Sequence, residues 1–171
     1  KMGVSFQIRN GYVRGGIKGR LKGATINFKK ISVGATENLL MAATLADGKT
    51  ILNNAAREPE IVDLSKFLIK MGANIKGYGT KKIIVNGKKR LKGCSHVIMP
   101  DRIECGTFVL CVFGCLGKIK IENLNKEICS HIKEIFSCLK SLKIKILDGG
   151  KSLEVEKIDD RSISVKIVTS E

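Results

Sequence analysis

Three segments of the 171-residue chain gather side chains able to do chemistry. The first reads Lys30-Ile31-Ser32-Val33-Gly34-Ala35-Thr36 and leads into an apolar run. A small, glycine-containing entry to a helix presents backbone N–H groups at the positive end of the helix dipole, which suits a phosphate. Ser32 and Thr36 add hydroxyls and Lys30 adds charge; the same spacing equally suits Ser32 as a plain helix N-cap. The second segment, Arg57-Glu58-Pro59-Glu60-Ile61-Val62-Asp63, sets three carboxylates and an arginine around a helix start. Such carboxylates either complement the dipole or act as acid, base or sugar-hydroxyl contacts in a cleft. The third, Pro100-Asp101-Arg102-Ile103-Glu104, opens another helical pattern. There Asp101, Arg102 and Glu104 can form an ion-pair set that locks the loop, and Arg102 is open to a functional role as well.

The remaining reactive side chains read as structural. Six cysteines and two histidines are present, without a CxxC pair, so no zinc site and no other metal or cofactor is expected. Cys105, Cys111, Cys115 and Cys138 sit in apolar surroundings and are expected in the core as small hydrophobes. Cys129 and Cys138 lie nine apart and do not face one another on a single helix. The net charge of +15 attracts anions. The lysines are scattered, however, and six Phe, two Tyr and no Trp offer little for stacking on bases. A solvated basic surface is therefore expected rather than a nucleic-acid partner. A non-catalytic anion- or nucleic-acid-binding module is the alternative, resting on charge alone. No apolar run reaches the ~18 residues of a membrane helix and no signal-peptide pattern opens the chain.

The elements that must position these segments repeat. Lys1-Met2-Gly3 recurs 69 residues later as Lys70-Met71-Gly72, and Arg20-Leu21-Lys22-Gly23 recurs 70 later as Arg90-Leu91-Lys92-Gly93. Gly48-Lys49-Thr50 likewise returns as Gly117-Lys118-Ile119, and Ile98 as Ile167. A period this long marks a repeated unit of several elements. Alternation predicts half-buried strands through Phe6, Ile8 and Tyr12 and through Ile26 and Phe28, with turns at Asn10-Gly11 and Gly15-Gly16. Helices are predicted over 34–45, from Pro59 to Gly72, over 106–115 and over 126–142. Short strands are predicted over 50–53, 74–76, 82–85, 96–99, 118–122, 143–147, 153–155 and 164–168.

Each unit thus reads helix, strand, helix, three strands, and the leading strand of one unit is expected to pair with the last strand of the preceding one. The helices over 34–45 and 106–115 are apolar nearly all round, as buried helices should be. A closed three-fold arrangement with helices inside and sheets outside fits this order; a doubly wound parallel sheet fits less well, because successive strands imply hairpins. The chain is read as one incomplete domain: 1–30 the tail of a first unit, 31–100 a second, 101–171 a third.

With these segments in view, the chain resembles the enolpyruvyl transferases. The resemblance rests on "KGRLKGATINFKKISVGAT", "AATLADGKTILNNAAREPEIVDL" and "PDRIECGTF", in order and with few gaps. It implies an α/β fold, an inside-out α/β barrel of repeated βαβαββ units. It also implies, for the branch carrying the last two segments, transfer of enolpyruvate from phosphoenolpyruvate to the 3′-hydroxyl of UDP-N-acetylglucosamine, a cytoplasmic step that commits carbon to peptidoglycan. By resemblance, Lys30, Ile31, Ser32, Val33 and Gly34 bind the UDP moiety, and Glu58, Glu60, Asp101 and Arg102 support the cleft. The family's lysine–asparagine pair for phosphoenolpyruvate, its general-acid loop and its second domain have no counterpart here. No catalytic residue is therefore expected in this chain, none of the six cysteines is expected to be one, and the chain alone is expected to be inactive.

Overall fold

The computed structural model describes residues 1–115 and 117–158. The backbone divides into two compact units, Lys1–Val97 and Ile98–Glu171. The division falls within a few residues of the unit boundary expected at 100/101.

The first unit opens with a hairpin of β1 (Ser5–Arg9) and β2 (Tyr12–Gly16). Its turn is Asn10-Gly11, both at positive φ, as a two-residue turn matching the strand twist requires. Gly15 and Gly16 lie inside β2 rather than in a turn. Then come β3 (Thr25–Asn27), α1 (Val33–Thr44), β4 (Lys49–Asn53), α2 (Pro59–Lys70), β5 (Asn74–Lys76) and β6 (Lys82–Asn86). The sheet order is β3-β4-β6-β5, with β3 parallel to β4 and the other pairs antiparallel. A mixed sheet of this kind rules out the doubly wound reading for this unit. The parallel β3–β4 pair joins the leading strand of the second repeat to the strand before it, as expected.

One face of this sheet buries Leu52, Ile75, Ile83 and Val85 together with Leu40 and Ala43 of α1 and Ile61 and Leu68 of α2. At roughly 1.5–3 kcal/mol per large apolar side chain, this burial is the main stabilising term of the unit. The repeated Arg-Leu-Lys-Gly text proves to be structural. Arg20 donates to the carbonyls of Leu45, Ala46 and Lys88, capping the open end of α1. Lys22 N–H donates to Met2 O at 3.0 Å, and in the second copy Lys92 N–H donates to Met71 O at 2.8 Å. A Cβ on Gly23 would collide with the backbone of Lys49.

The second unit holds α3 (Arg102–Gly114), β7 (Lys118–Ile121), α4 (Lys126–Ile135), β8 (Leu142–Leu147) and β9 (Ser152–Lys157), with sheet order β7-β9-β8. α4 is shorter than the expected 126–142. Beyond Ile135 the chain tightens into a 3-10 turn, Phe136–Cys138, where Ser137 Oγ donates to Glu134 O. A hydroxyl bonding to the backbone in this way competes with helix continuation.

Two further expectations change. No strand forms over 96–99; His96 is instead fastened to α2 by its side chain, its Nε2 3.1 Å from Asp63 Oδ1 and its ring centroid 5.2 Å from that of Phe67. The expected strand over 164–168 lies outside the described residues. Neither first helix is buried all round: α3 buries Cys105, Gly106, Val109 and Val112 while Phe108 and Leu110 are exposed. Cys111, Cys115 and Cys138 are accordingly exposed rather than core, and the buried thiols are Cys105 and Cys129. Among the described residues no group of three or more metal-ligating side chains comes together, and no helix is long and apolar enough to cross a membrane.

Burial, then the neighbouring Cys129 and Glu104, push the Cys105 thiol up to about 11, and burial raises Cys129 as well. A raised pKa leaves these groups as unreactive thiols at pH 8, where an exposed cysteine is part thiolate. Native alkylation at pH 8 is expected to modify Cys94, Cys111, Cys115 and Cys138 and to spare Cys105 and Cys129 until denaturant is added. Peptide mass spectrometry reads this directly, and rapid native labelling of Cys105 would contradict the packing described.

Candidate functional site

The segment 30–34 forms the entry to α1. Ser32 sits at φ −146°, ψ 120°, an extended N-cap geometry, and its Oγ accepts from Ala35 N–H at 3.3 Å. Thr36 N–H bonds back to Ser32 O at 3.0 Å. Ser32 is therefore a helix cap, and the cap leaves the first-turn amides of Val33 and Gly34 beyond reach of any helical acceptor. Lys30, Ile31 and Gly34 are exposed. A Cβ built on Gly34 meets nothing within 4 Å, so the side-chain position of Gly34 faces open space. The positive end of the dipole, two first-turn amides without a helical acceptor and one lysine together suit a phosphate or diphosphate.

A hydroxyl relay ties this loop to the second segment. Thr36 is fully buried; its Oγ1 donates to Ser32 O at 2.7 Å and accepts from Ala56 N–H at 3.1 Å. The loop after β4 is also held by Asn54, at positive φ, whose Nδ2 donates to Phe28 O, and by Ala55 N–H on Lys81 O. Ser32 and the start of α2 are thus brought together through one side chain, and Pro59 occupies the first turn of that helix. The three carboxylates there diverge in role. Glu58 turns back so that Oε2 accepts from Arg57 N–H at 2.7 Å. Asp63 holds His96. Glu60 is half-buried in the first turn of α2.

In the second unit Asp101 caps α3, with Oδ1 accepting from Ile103 N–H at 2.8 Å and Glu104 N–H at 3.0 Å. Arg102 is the first residue of that helix and is half-buried, while Glu104 is exposed. Beside them lies a cavity of about 330 Å³ bounded by Pro100, Asp101, Glu104, Phe108 and Asn123. Sequence reading anticipated the cap at Ser32 but missed the Thr36 relay and the His96–Asp63 pair. The relay joins positions 20 apart, and only the packing of β4 on α1 makes them neighbours.

Replacing Thr36 by Val keeps the shape and removes the relay, leaving Ala56 N–H buried without its acceptor. That is expected to cost about 1–3 kcal/mol. Thr36→Ser keeps the hydroxyl and loses a methyl, costing about 1 kcal/mol. Urea unfolding of both variants checks the order, and a Val variant as stable as Ser would remove the relay from the account.

A family model described as EPSP synthase (3-phosphoshikimate 1-carboxyvinyltransferase) matches residues 1–170. The UDP-N-acetylglucosamine 1-carboxyvinyltransferase of Shewanella amazonensis is 42% identical over 170 residues, 99% of this chain and 40% of the relative. That of Shewanella sediminis is 44% identical over 169 residues, with the same coverage. The chain thus spans about two fifths of the length of these relatives. Among solved structures, the enolpyruvyl transferase NikO of Streptomyces tendae aligns with a TM-score of 0.73 at 21% identity, over 91% of this chain and 39% of that one. An EPSP synthase of Acinetobacter baumannii aligns at 0.61 and 21% identity, over 92% and 37%. At that identity the structures speak for the fold, while the match over nearly the whole chain settles membership: the chain belongs to the EPSP synthase, or enolpyruvyl transferase, family.

Proposed function

We propose that this chain is the UDP-sugar-holding part of a UDP-N-acetylglucosamine 1-carboxyvinyltransferase. The complete reaction joins the 3′-oxygen of UDP-N-acetylglucosamine to C2 of phosphoenolpyruvate; the C2–O bond to phosphate breaks, and inorganic phosphate leaves with, in the net balance, the proton of the 3′-hydroxyl. The product enters peptidoglycan synthesis, and the site of action is the cytoplasm. The observation that carries this reading is the 42% identity to a relative of that name over 99% of the chain. The geometry of 30–34 supports it: the ligand is a diphosphate, and this loop offers the amides of Val33 and Gly34, the charge of Lys30, and side-chain contact from Ile31.

Ser32 shapes the loop by capping α1, and Thr36 holds it against the start of α2. Glu58 and Glu60 flank that start as supporting groups, and Asp101 and Arg102 serve the same role from the head of α3. None of these side chains is assigned a proton-transfer step. Asp101 is bound to two backbone amides, and the Cys105 thiol stays protonated at neutral pH. Transition-state stabilisation needs charge converging from several elements, and in this reading the remaining groups come from a second domain that completes the cleft. The fold of the whole is an inside-out α/β barrel of βαβαββ units.

Gly34→Val tests the loop without loading the core, because the added atoms enter open space. Isothermal titration with UDP-N-acetylglucosamine is expected to show binding by the chain, weakened at least tenfold by Gly34→Val and several-fold by Lys30→Ala. Equal affinity for all three would overturn the site. Phosphoenolpyruvate with UDP-N-acetylglucosamine is expected to release no phosphate with the chain alone; measurable release would overturn the division of labour.

A further inference from the structure

Positive charge is divided unevenly between the two units. Residues 1–97 carry 19 Lys and Arg against 5 Asp and Glu, whereas residues 98–171 carry 12 against 11. The few carboxylates of the first unit are also engaged. Asp47 lies 3.8 Å from Arg20, Asp63 holds His96, and Glu58 accepts from Arg57 N–H. Nearly all of the excess charge therefore belongs to one unit, and little within that unit answers it.

The β3-β4-β6-β5 sheet gives part of this charge a face. One side of the sheet holds Leu52, Ile75, Ile83 and Val85 in the core. Alternation along the strands therefore sends Lys49, Lys76 and Lys82 to the opposite side, and all three are exposed. Register sets Lys49 beside Asn86, Lys76 beside Ile84, and Lys82 beside Asn53. The lysines thus stand on three successive rows. Ile51 and Ile84 lie half-buried between them. The remaining positions on this side are Thr25, Asn27, Asn53, Asn74 and Asn86. Asn53 Nδ2 donates to Asn27 Oδ1 at 2.7 Å, which leaves Asn27 Nδ2 as a donor. The side carries no carboxylate and no aromatic ring, and among the described residues none of its lysines has an ion-pair partner. The corresponding side of the second unit's sheet is the contrast. Register there sets Glu156 between Lys118 and Lys143 and Glu154 between Lys120 and Lys145, so each row of lysines has its own anion.

We propose that the Lys49, Lys76 and Lys82 side of this sheet docks on an anionic lipid surface. Headgroup phosphates ask for positive charge and hydrogen-bond donors on one side of a protein, and for no matched shape. This side offers both and opposes neither with a carboxylate. Other anionic partners fit it less well. Single-stranded nucleic acid gains from aromatic platforms, which are absent here. An acidic protein gains from apolar anchors buried at the centre of the interface, and Ile51 and Ile84 are already half-buried within the sheet. The contact is peripheral, since no described helix is long and apolar enough to cross a bilayer. It uses no residue of 30–34, so it stands whether or not that loop takes a UDP-sugar.

The test sediments the full chain with vesicles of phosphatidylglycerol and phosphatidylcholine in equal parts, and with phosphatidylcholine alone. Binding is expected to the mixed vesicles only, and to fall away in high salt. Each of Lys49→Gln, Lys76→Gln and Lys82→Gln is expected to weaken it about fivefold, and the three together about a hundredfold. A control triple, Lys133→Gln, Lys140→Gln and Lys143→Gln, removes the same charge from exposed positions of the second unit. It is expected to leave binding within about twofold of the parent. All six positions are exposed, so circular dichroism and melting temperature should match the parent, and the single variants carry the test if a triple misfolds. Equal binding to both vesicle types, or equal losses from the two sets of variants, would overturn the proposal. So would tighter binding of a single-stranded oligonucleotide that the sheet variants abolish, which would name nucleic acid as the occupant.

Discussion

The hydroxyl of Thr36 is the contact on which the candidate site of the first unit depends. It is buried, and it serves two backbone groups from two loops at once. Without it, the cap of α1 and the entry to α2 would each keep their local structure but lose their fixed relation. Buried backbone groups must be paired, so the relay is also the way this fold solves a satisfaction problem where β4 hands over to α2. Precise spacing between the entry to α1 and the entry to α2 is thus a by-product of hydrogen bonding in the core.

Around that contact, charge is handled locally. Lys118 and Lys145 both reach Glu154, at 2.9 and 3.3 Å, and Lys120 reaches Glu122 and Asp148. The Glu154 and Asp148 carboxyls are held below the usual carboxylate range, chiefly by side-chain hydrogen bonds from Lys118 and Ser152 respectively. These pairs are exposed and weigh little individually. They place carboxylates among the lysines strand by strand across the β7-β9-β8 sheet, so positive charge there is interleaved with negative.

Much of this fold was legible where local rules decide. Pro59, Gly72 and the three- and four-residue spacing through Ile61, Leu64 and Leu68 define α2 almost to the residue, and Asn10-Gly11 defines the hairpin. The same rules fail where tertiary contact decides. His96 and Ile98 alternate as a strand should, but Asp63 and Phe67 claim His96 and no ladder forms. The cysteines of α3 all look apolar in sequence, yet a helix with one packed face buries Cys105 and exposes Cys111. In the site, Ser32 was legible as a cap from its position alone; Thr36 was not, because its partner is 20 residues away.

The repeat also supplies an internal comparison for the proposed anion site. Lys30, Ser32, Gly34 and Thr36 correspond at an offset of 69 to Met99, Asp101, Ile103 and Cys105. Both copies enter a helix with a capping residue and the same return bond, Thr36 N–H to Ser32 O and Cys105 N–H to Asp101 O. In the second copy, however, a carboxylate sits on the positive end of the helix and takes its amides. Met99 replaces the lysine, and a thiol with no hydroxyl relay replaces Thr36. A helix N-terminus already answered by Asp101 has little attraction left for phosphate. The same backbone device has therefore been left open in one copy and closed in the other. It is this difference, more than the helix start itself, that supports the proposal of 30–34 as an anion-binding loop.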